Sequence, residues 1–109
     1  MGELRYGLTE DAIARINAVF AACPEIDRVV LYGSRAKGTQ RNGSDIDLTI
    51  EGEAMSPSQL LRLENALDDL LLPYKMDISL LRQIDNPDLL AHIRRVGLVF
   101  YEKKVKQSA

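Results

Sequence analysis

Two aspartates stand two residues apart in Asp45-Ile46-Asp47-Leu48-Thr49-Ile50. The alternation predicts a strand, in which residues i and i+2 share a face. Asp45, Asp47 and Thr49 then point one way, and Ile46, Leu48 and Ile50 enter a core. Neighbouring carboxylates repel each other, and aspartate is a poor strand former. A hard cation relieves the conflict, since Mg²⁺ takes one or two carboxylates together with phosphate oxygens. A solvated edge strand is the plainer alternative. Further on, Tyr74 to Leu81 alternates in the same manner, with Lys75, Asp77 and Ser79 on one face. If that strand pairs beside the first in compatible register, Asp77 becomes a third carboxylate on the same cleft. Three are enough for two-metal phosphoryl transfer. Alone, Asp77 reads as a surface residue paired with Lys75.

Upstream, Arg28-Val29-Val30-Leu31-Tyr32 predicts a buried strand that turns at Gly33-Ser34 into a short polar turn-and-helix, Arg35 to Ser44. Glycine lets backbone approach a ligand closely, N–H groups at a helix start attract phosphate, and a serine hydroxyl adds a hydrogen bond. A lone glycine-serine pair is also a common turn. It is no P-loop, because Thr39 follows Gly38 where a lysine must stand, and no G-x-G-x-x-G is present.

Four helices and strands must hold these residues. Thr9 is an N-cap for a helix to about Ala22, with Ile13, Ile16, Phe20 and Cys23 on one stripe. Ser56, Pro57 and Gln59 form a capping-box start for a helix carrying Leu60, Leu63, Leu67, Leu70 and Leu71 and stopping before Pro73. Asn86-Pro87 opens a last helix with Leu90, Ile93 and Val96 inward. His92 falls off that stripe, on the solvent side or at an interface. Leu98 to Tyr101 reads as a final strand, and 102–109 as a flexible tail. The order implies one α/β (α+β) domain over 1–109, a mixed sheet of about four to five strands flanked by helices.

Composition narrows the function classes. The 109 residues are 46% apolar and 28% charged, ordinary for a globular domain. Fourteen basic against sixteen acidic residues give a net charge of −2, which speaks against tight nonspecific nucleic-acid binding. One cysteine, Cys23, excludes an internal disulfide, and with a single histidine it excludes a Cys/His zinc site. Cys23 reads as a packed small residue. The charged start lacks a signal-peptide core, no run reaches the ~20 apolar residues of a membrane span, and Met1-Gly2 fails as a myristoylation signal because Tyr6 stands where Ser or Thr is required. A cytoplasmic protein is the simplest expectation.

The combination is specific: Gly33-Ser34, ten residues, then Asp45-Ile46-Asp47, within GSRAKGTQRNGSDIDLTI. This run resembles the nucleotidyltransferase superfamily typified by DNA polymerase β, and most of all the minimal nucleotidyltransferases (MNT) paired with HEPN-domain toxins as antitoxins. The likeness extends through LPYKMDISL to HIRRVGLVFYE. It implies that Gly33 and Ser34 cradle a triphosphate and that Asp45, Asp47 and Asp77 are the metal-binding, catalytic carboxylates, with Asp77 helping to activate the acceptor hydroxyl. Arg35, Lys37, Arg41 and Ser44 are further candidate nucleotide contacts. Mg²⁺, as two ions, and ATP as substrate are implied too.

The resemblance implies transfer of AMP from ATP to a tyrosine hydroxyl of a cognate HEPN RNase toxin. A non-catalytic antitoxin that blocks its toxin sterically is an alternative, as is a small-molecule nucleotidyltransferase, although 109 residues leave little chain to wall off a small acceptor. A protein partner can supply that positioning instead. Leu98 to Tyr101, the tail and the His92, Arg94 and Arg95 side of the last helix are candidate contacts.

Overall fold

The three long helices each start where a side chain can satisfy free N–H groups. Thr9 Oγ1 accepts from Ala12 N at 3.1 Å, Ser56 and Gln59 form a reciprocal capping box, and Asn86 Oδ1 accepts from Asp88 N and Leu89 N. A computed structural model describes residues 4–103 of the chain. The elements are α1 (Glu10–Ala21), β1 (Arg28–Tyr32), α2 (Ser34–Lys37), β2 (Ile46–Glu51), α3 (Pro57–Asp68), β3 (Met76–Leu80), a 3₁₀ turn (Leu81–Gln83), α4 (Pro87–Val96) and β4 (Leu98–Glu102).

The four strands lie in the order β3-β2-β1-β4. β1 is antiparallel to β2 and to β4, whereas β2 and β3 are parallel, with α3 carrying the crossover that a parallel pair requires. The chain therefore leaves β1 and enters both β2 and β3 at the same end of the sheet. That end is where the glycine-serine turn and the aspartates are found.

One sheet face is apolar. Val29, Leu31, Ile46, Leu48, Ile50 and Leu80 are buried there with Ile13, Ile16 and Phe20 of α1 and Leu63 and Leu67 of α3. Phe20 meets Phe100 edge-on at 6.3 Å between ring centres. The other face is mixed, and α4 covers it at β1, where a Cβ on Gly97 would meet Val30.

Some boundaries differ from expectation. Asp45 precedes β2, and Tyr74 and Lys75 precede β3. Helix α3 ends at Asp68 instead of running to Pro73. Leu70 N and Leu71 N bond to Leu67 O and Asp68 O in tightened turns, and Leu71 takes a left-handed conformation (φ 55°). Leu71 is thereby 88% exposed, not part of the buried face. Glu102 belongs to β4, opposite Arg28, and Lys103 N bonds to Asp27 O, so the tail starts later than the sequence suggests. Positions 1–3, including Met1-Gly2, and the tail from 104 lie outside the described residues. Among the described residues no helix is long and apolar enough to cross a membrane.

Candidate active site

The strand register decides which carboxylates meet. Asp47 pairs with Tyr32 across the antiparallel ladder and with Asp77 across the parallel one. Directly paired residues project to one face, so Tyr32, Asp47 and Asp77 form a row across three strands. The condition set for Asp77 is met. Asp47 is half-buried, and Asp77 is exposed on the edge strand. Asp45 is exposed at the approach to β2, two residues before Asp47.

The row carries excess negative charge. Burial, then Asp77, then Asp45 push the Asp47 carboxyl above the ordinary aspartate range, while Arg35 pulls it partly back. Burial also raises the Tyr32 phenol, and Asp77 and Asp47 add to the shift. Among the described residues no three His, Cys, Asp or Glu side chains are grouped so that together they could hold a metal ion. The donor set nonetheless suits a hard cation: oxygen ligands only, mutually repelling, on an open face.

Gly33 sits immediately after β1, at φ 76° and ψ −156°, and is the N-cap of α2. That conformation belongs essentially to glycine. A Cβ at Gly33 would also collide with Asp47 Oδ2, so the turn and the carboxylate lie against each other. Ser34 begins α2 and is half-buried beside them.

Arg35 departs from its expected role as a phosphate contact. It is 3% exposed, and its guanidinium donates to Tyr6 O at 2.8 Å and to Ser44 O at 2.8 and 3.2 Å, over the Tyr74 ring at 5.0 Å. Ser44 is engaged in the same loop, its Oγ accepting from Arg41 N. Together they fasten the 38–45 loop that delivers Asp45. Lys37 and Arg41 are exposed. Arg35→Lys, which cannot fork onto two carbonyls, will destabilise the ligand-free protein by about 2 kcal/mol. Thermal melting checks this, because a mere phosphate contact would leave the ligand-free melting temperature unchanged.

His92 is the residue that the sequence reading misplaced. It is half-buried, its Nε2 accepts from Gly33 N–H at 3.1 Å, and its ring meets Tyr32 edge-on. Leu89, His92, Ile93 and Val96 follow an i, i+3, i+4, i+7 stripe, a signal that was available in the sequence. Burial, then a hydrogen bond to Glu25, raises the Cys23 thiol pKa, which disfavours the nucleophilic thiolate.

The family model for polymerase beta nucleotidyltransferases matches residues 14–106. The chain belongs to that family. Two Methanocaldococcus jannaschii proteins, Putative protein adenylyltransferase MJ0126 and MJ1217, are each 38% identical to it over 64 residues. Those residues are 58% of this chain, which spans 64% of the length of each relative. Among solved structures, a toxin–antitoxin complex with AMP-PNP has a chain of like fold, with TM-score 0.67 and 21% identity over 84% of this chain and 74% of its own. A complex of tri-AMPylated Shewanella oneidensis HEPN toxin with MNT antitoxin gives 0.62 and 17%, over 86% and 72%. This member of the family has Gly33-Ser34 and Asp45-x-Asp47 at one end of a four-stranded sheet.

Proposed function

We propose that this protein is a Mg²⁺-dependent adenylyltransferase that moves AMP from ATP to a tyrosine hydroxyl of a partner protein, a HEPN-type toxin, as its antitoxin. The observation that carries the reading is the in-register Asp47–Asp77 pair beside the Gly33-Ser34 turn. The names of the M. jannaschii relatives and of the toxin–antitoxin complexes support the choice of adenylyl group and partner.

In this reading Gly33 and Ser34 hold the triphosphate, the glycine by close backbone approach and the serine by hydrogen bonding. Asp45, Asp47 and Asp77 would hold Mg²⁺, which when bound neutralises charge on the phosphate and attacking oxygens. Asp77, the more exposed carboxylate of the pair, faces the acceptor and draws the phenolic proton. A tyrosine with a pKa of about 10 needs that help. The tyrosine oxygen bonds to the α-phosphorus, the bond from that phosphorus to the bridging oxygen breaks, and pyrophosphate leaves with the electron pair.

A protein acceptor fits the shape. The concavity of about 210 Å³ that touches Asp77 lies against α3, lined by Glu64, Leu67, Asp68, Met76 and Ile78. It takes in neither Asp45 and Asp47 nor the glycine-serine turn, so it is no pocket for a small acceptor at the proposed site. The larger groove, about 650 Å³ between α1 and α3, is lined by neither the aspartates nor the glycine-serine turn. A cytoplasmic location is consistent with the free thiol of Cys23.

The test is incubation with ATP, Mg²⁺ and a HEPN-type partner protein from the same genome, followed by mass spectrometry. One or more AMP units on a partner tyrosine, absent with Asp47→Asn, is the expected result. A partner that is inhibited yet unmodified would replace this reading with the steric antitoxin.

A further inference from the structure

Resting on the nucleotidyl-transfer reading, we infer that His92 is a positioning residue that holds the Gly33-Ser34 turn in its nucleotide-receiving geometry through the Gly33 N–H to Nε2 hydrogen bond. The turn needs an external tie. β1 ends at Tyr32 and α2 begins at Ser34, so Gly33 N–H belongs to neither the strand ladder nor the helix. A half-buried N–H without a partner is costly, and here the partner is a side chain 59 residues away. Accepting that hydrogen bond requires the Nε2 lone pair, which places the ring proton on Nδ1.

The imidazole is itself well held. Tyr32 is buried and meets it at 6.2 Å between ring centres, with the planes 82° apart. Helix α4 is anchored at its start by the Asn86 cap and at its end by Gly97 lying close against Val30. His92 thus ties a rigid helix to a turn that can exist only in glycine's conformational space. The consequence extends to the chemistry because Gly33 and Asp47 are in contact. A turn that relaxes moves Ser34 away from the triphosphate position and releases the wall against which the Asp47 carboxylate rests. His92 acts through Gly33 and touches no substrate.

Two variants separate hydrogen bonding from packing. His92→Leu keeps most of the side-chain volume and has no acceptor, whereas His92→Gln offers Oε1 at similar reach. The measurements are Gly33 amide hydrogen exchange by NMR on the ligand-free protein, Mg·AMP-PNP binding by calorimetry, and KM and kcat for ATP. In His92→Leu we expect Gly33 exchange and the AMP-PNP Kd each to rise about tenfold, and KM to change more than kcat. His92→Gln should recover most of each loss. Gly33 exchange unchanged in His92→Leu would overturn the assignment, and so would AMP-PNP binding equal to that of wild type. A Gln variant that falls as far as Leu would also overturn it, by assigning the effect to the packed ring. Wild-type protein that binds no AMP-PNP would instead remove the nucleotidyl-transfer reading, while the exchange measurement still reports on the His92 tie.

Discussion

Asp47→Asn will raise the melting temperature of the metal-free protein at neutral pH while cutting adenylyl transfer by about 10²–10³-fold, the scale for losing one electrostatic group aimed at the reacting centre. The two effects share a cause. Asp47 is half-buried in a row with Asp77, and burial and like charge hold its carboxyl pKa above that of a free aspartate. A raised folded-state pKa means that the native protein binds this proton more tightly than the unfolded chain does. Stability from this group is then complete below the unfolded pKa of about 3.9, and it is lost as pH climbs through the raised value. At neutral pH the ionised carboxylate is a burden on the ligand-free fold, which the nearly isosteric, uncharged Asn removes. Melting curves of both proteins from pH 3 to 8 should converge at the acid end and separate as pH rises. Added Mg²⁺ should raise the wild-type melting temperature and leave the variant nearly unmoved, because only a folded site that binds the ion gains from it. An Asn variant that melts lower than wild type at neutral pH, or transfers AMP at the wild-type rate, would show that Asp47 has some other task.

Residues whose role rests on local pattern were the ones that the sequence revealed. The period-two alternation of Ile46, Leu48 and Ile50 determines which way Asp47 points, and Gly33-Ser34 follows a strand whose apolar run ends at Tyr32. Asp77 was legible only conditionally. Its chemistry depends on a parallel register with β2 that no local pattern encodes, since any even shift would keep the same face and separate the carboxylates.

The misreadings have the same origin in tertiary context. A basic side chain one residue after the glycine-serine turn reads as a phosphate ligand, yet Arg35 lies beneath the loop. Its partners there are the carbonyls of Tyr6 and Ser44. Carbonyls belong to every residue, so composition leaves no trace of them. His92 was misplaced by a choice of helical phase. A stripe through Leu90, Ile93 and Val96 leaves it outside, whereas one through Leu89, Ile93 and Val96 brings it against the sheet. Leu71 fails differently, because the α3 period continues in the sequence after the helix has closed in tight turns at Asp69 and Leu70.

Gly33→Ala and Gly38→Ala will both strain the backbone, with opposite functional outcomes. Both glycines have positive φ, 76° and 77°. Gly38 (ψ 16°) is in the left-handed helical region, which disfavours a Cβ by about 1 kcal/mol or more, whereas Gly33 (ψ −156°) is in a region essentially reserved for glycine and costs more. Both substitutions should therefore lower the melting temperature. The surroundings differ. A Cβ at Gly38 finds nothing within 4 Å, whereas one at Gly33 lands on the Asp47 carboxylate, with Cγ at 3.2 Å and Oδ2 nearer still. Something at Gly33 must move. The choices are the turn that carries Ser34 or the carboxylate itself, and each displacement disturbs a candidate nucleotide or metal contact. Gly38→Ala should transfer AMP within a few-fold of wild type. Gly33→Ala should lose about 10²-fold or more, the penalty for roughly an ångström of misplacement at a reacting centre. The Mg²⁺-dependent gain in melting temperature should follow activity, surviving in the first variant and shrinking in the second. Equal activity in the two variants would mean that the Gly33–Asp47 contact is packing alone, and that the turn and the carboxylates do not work as one site.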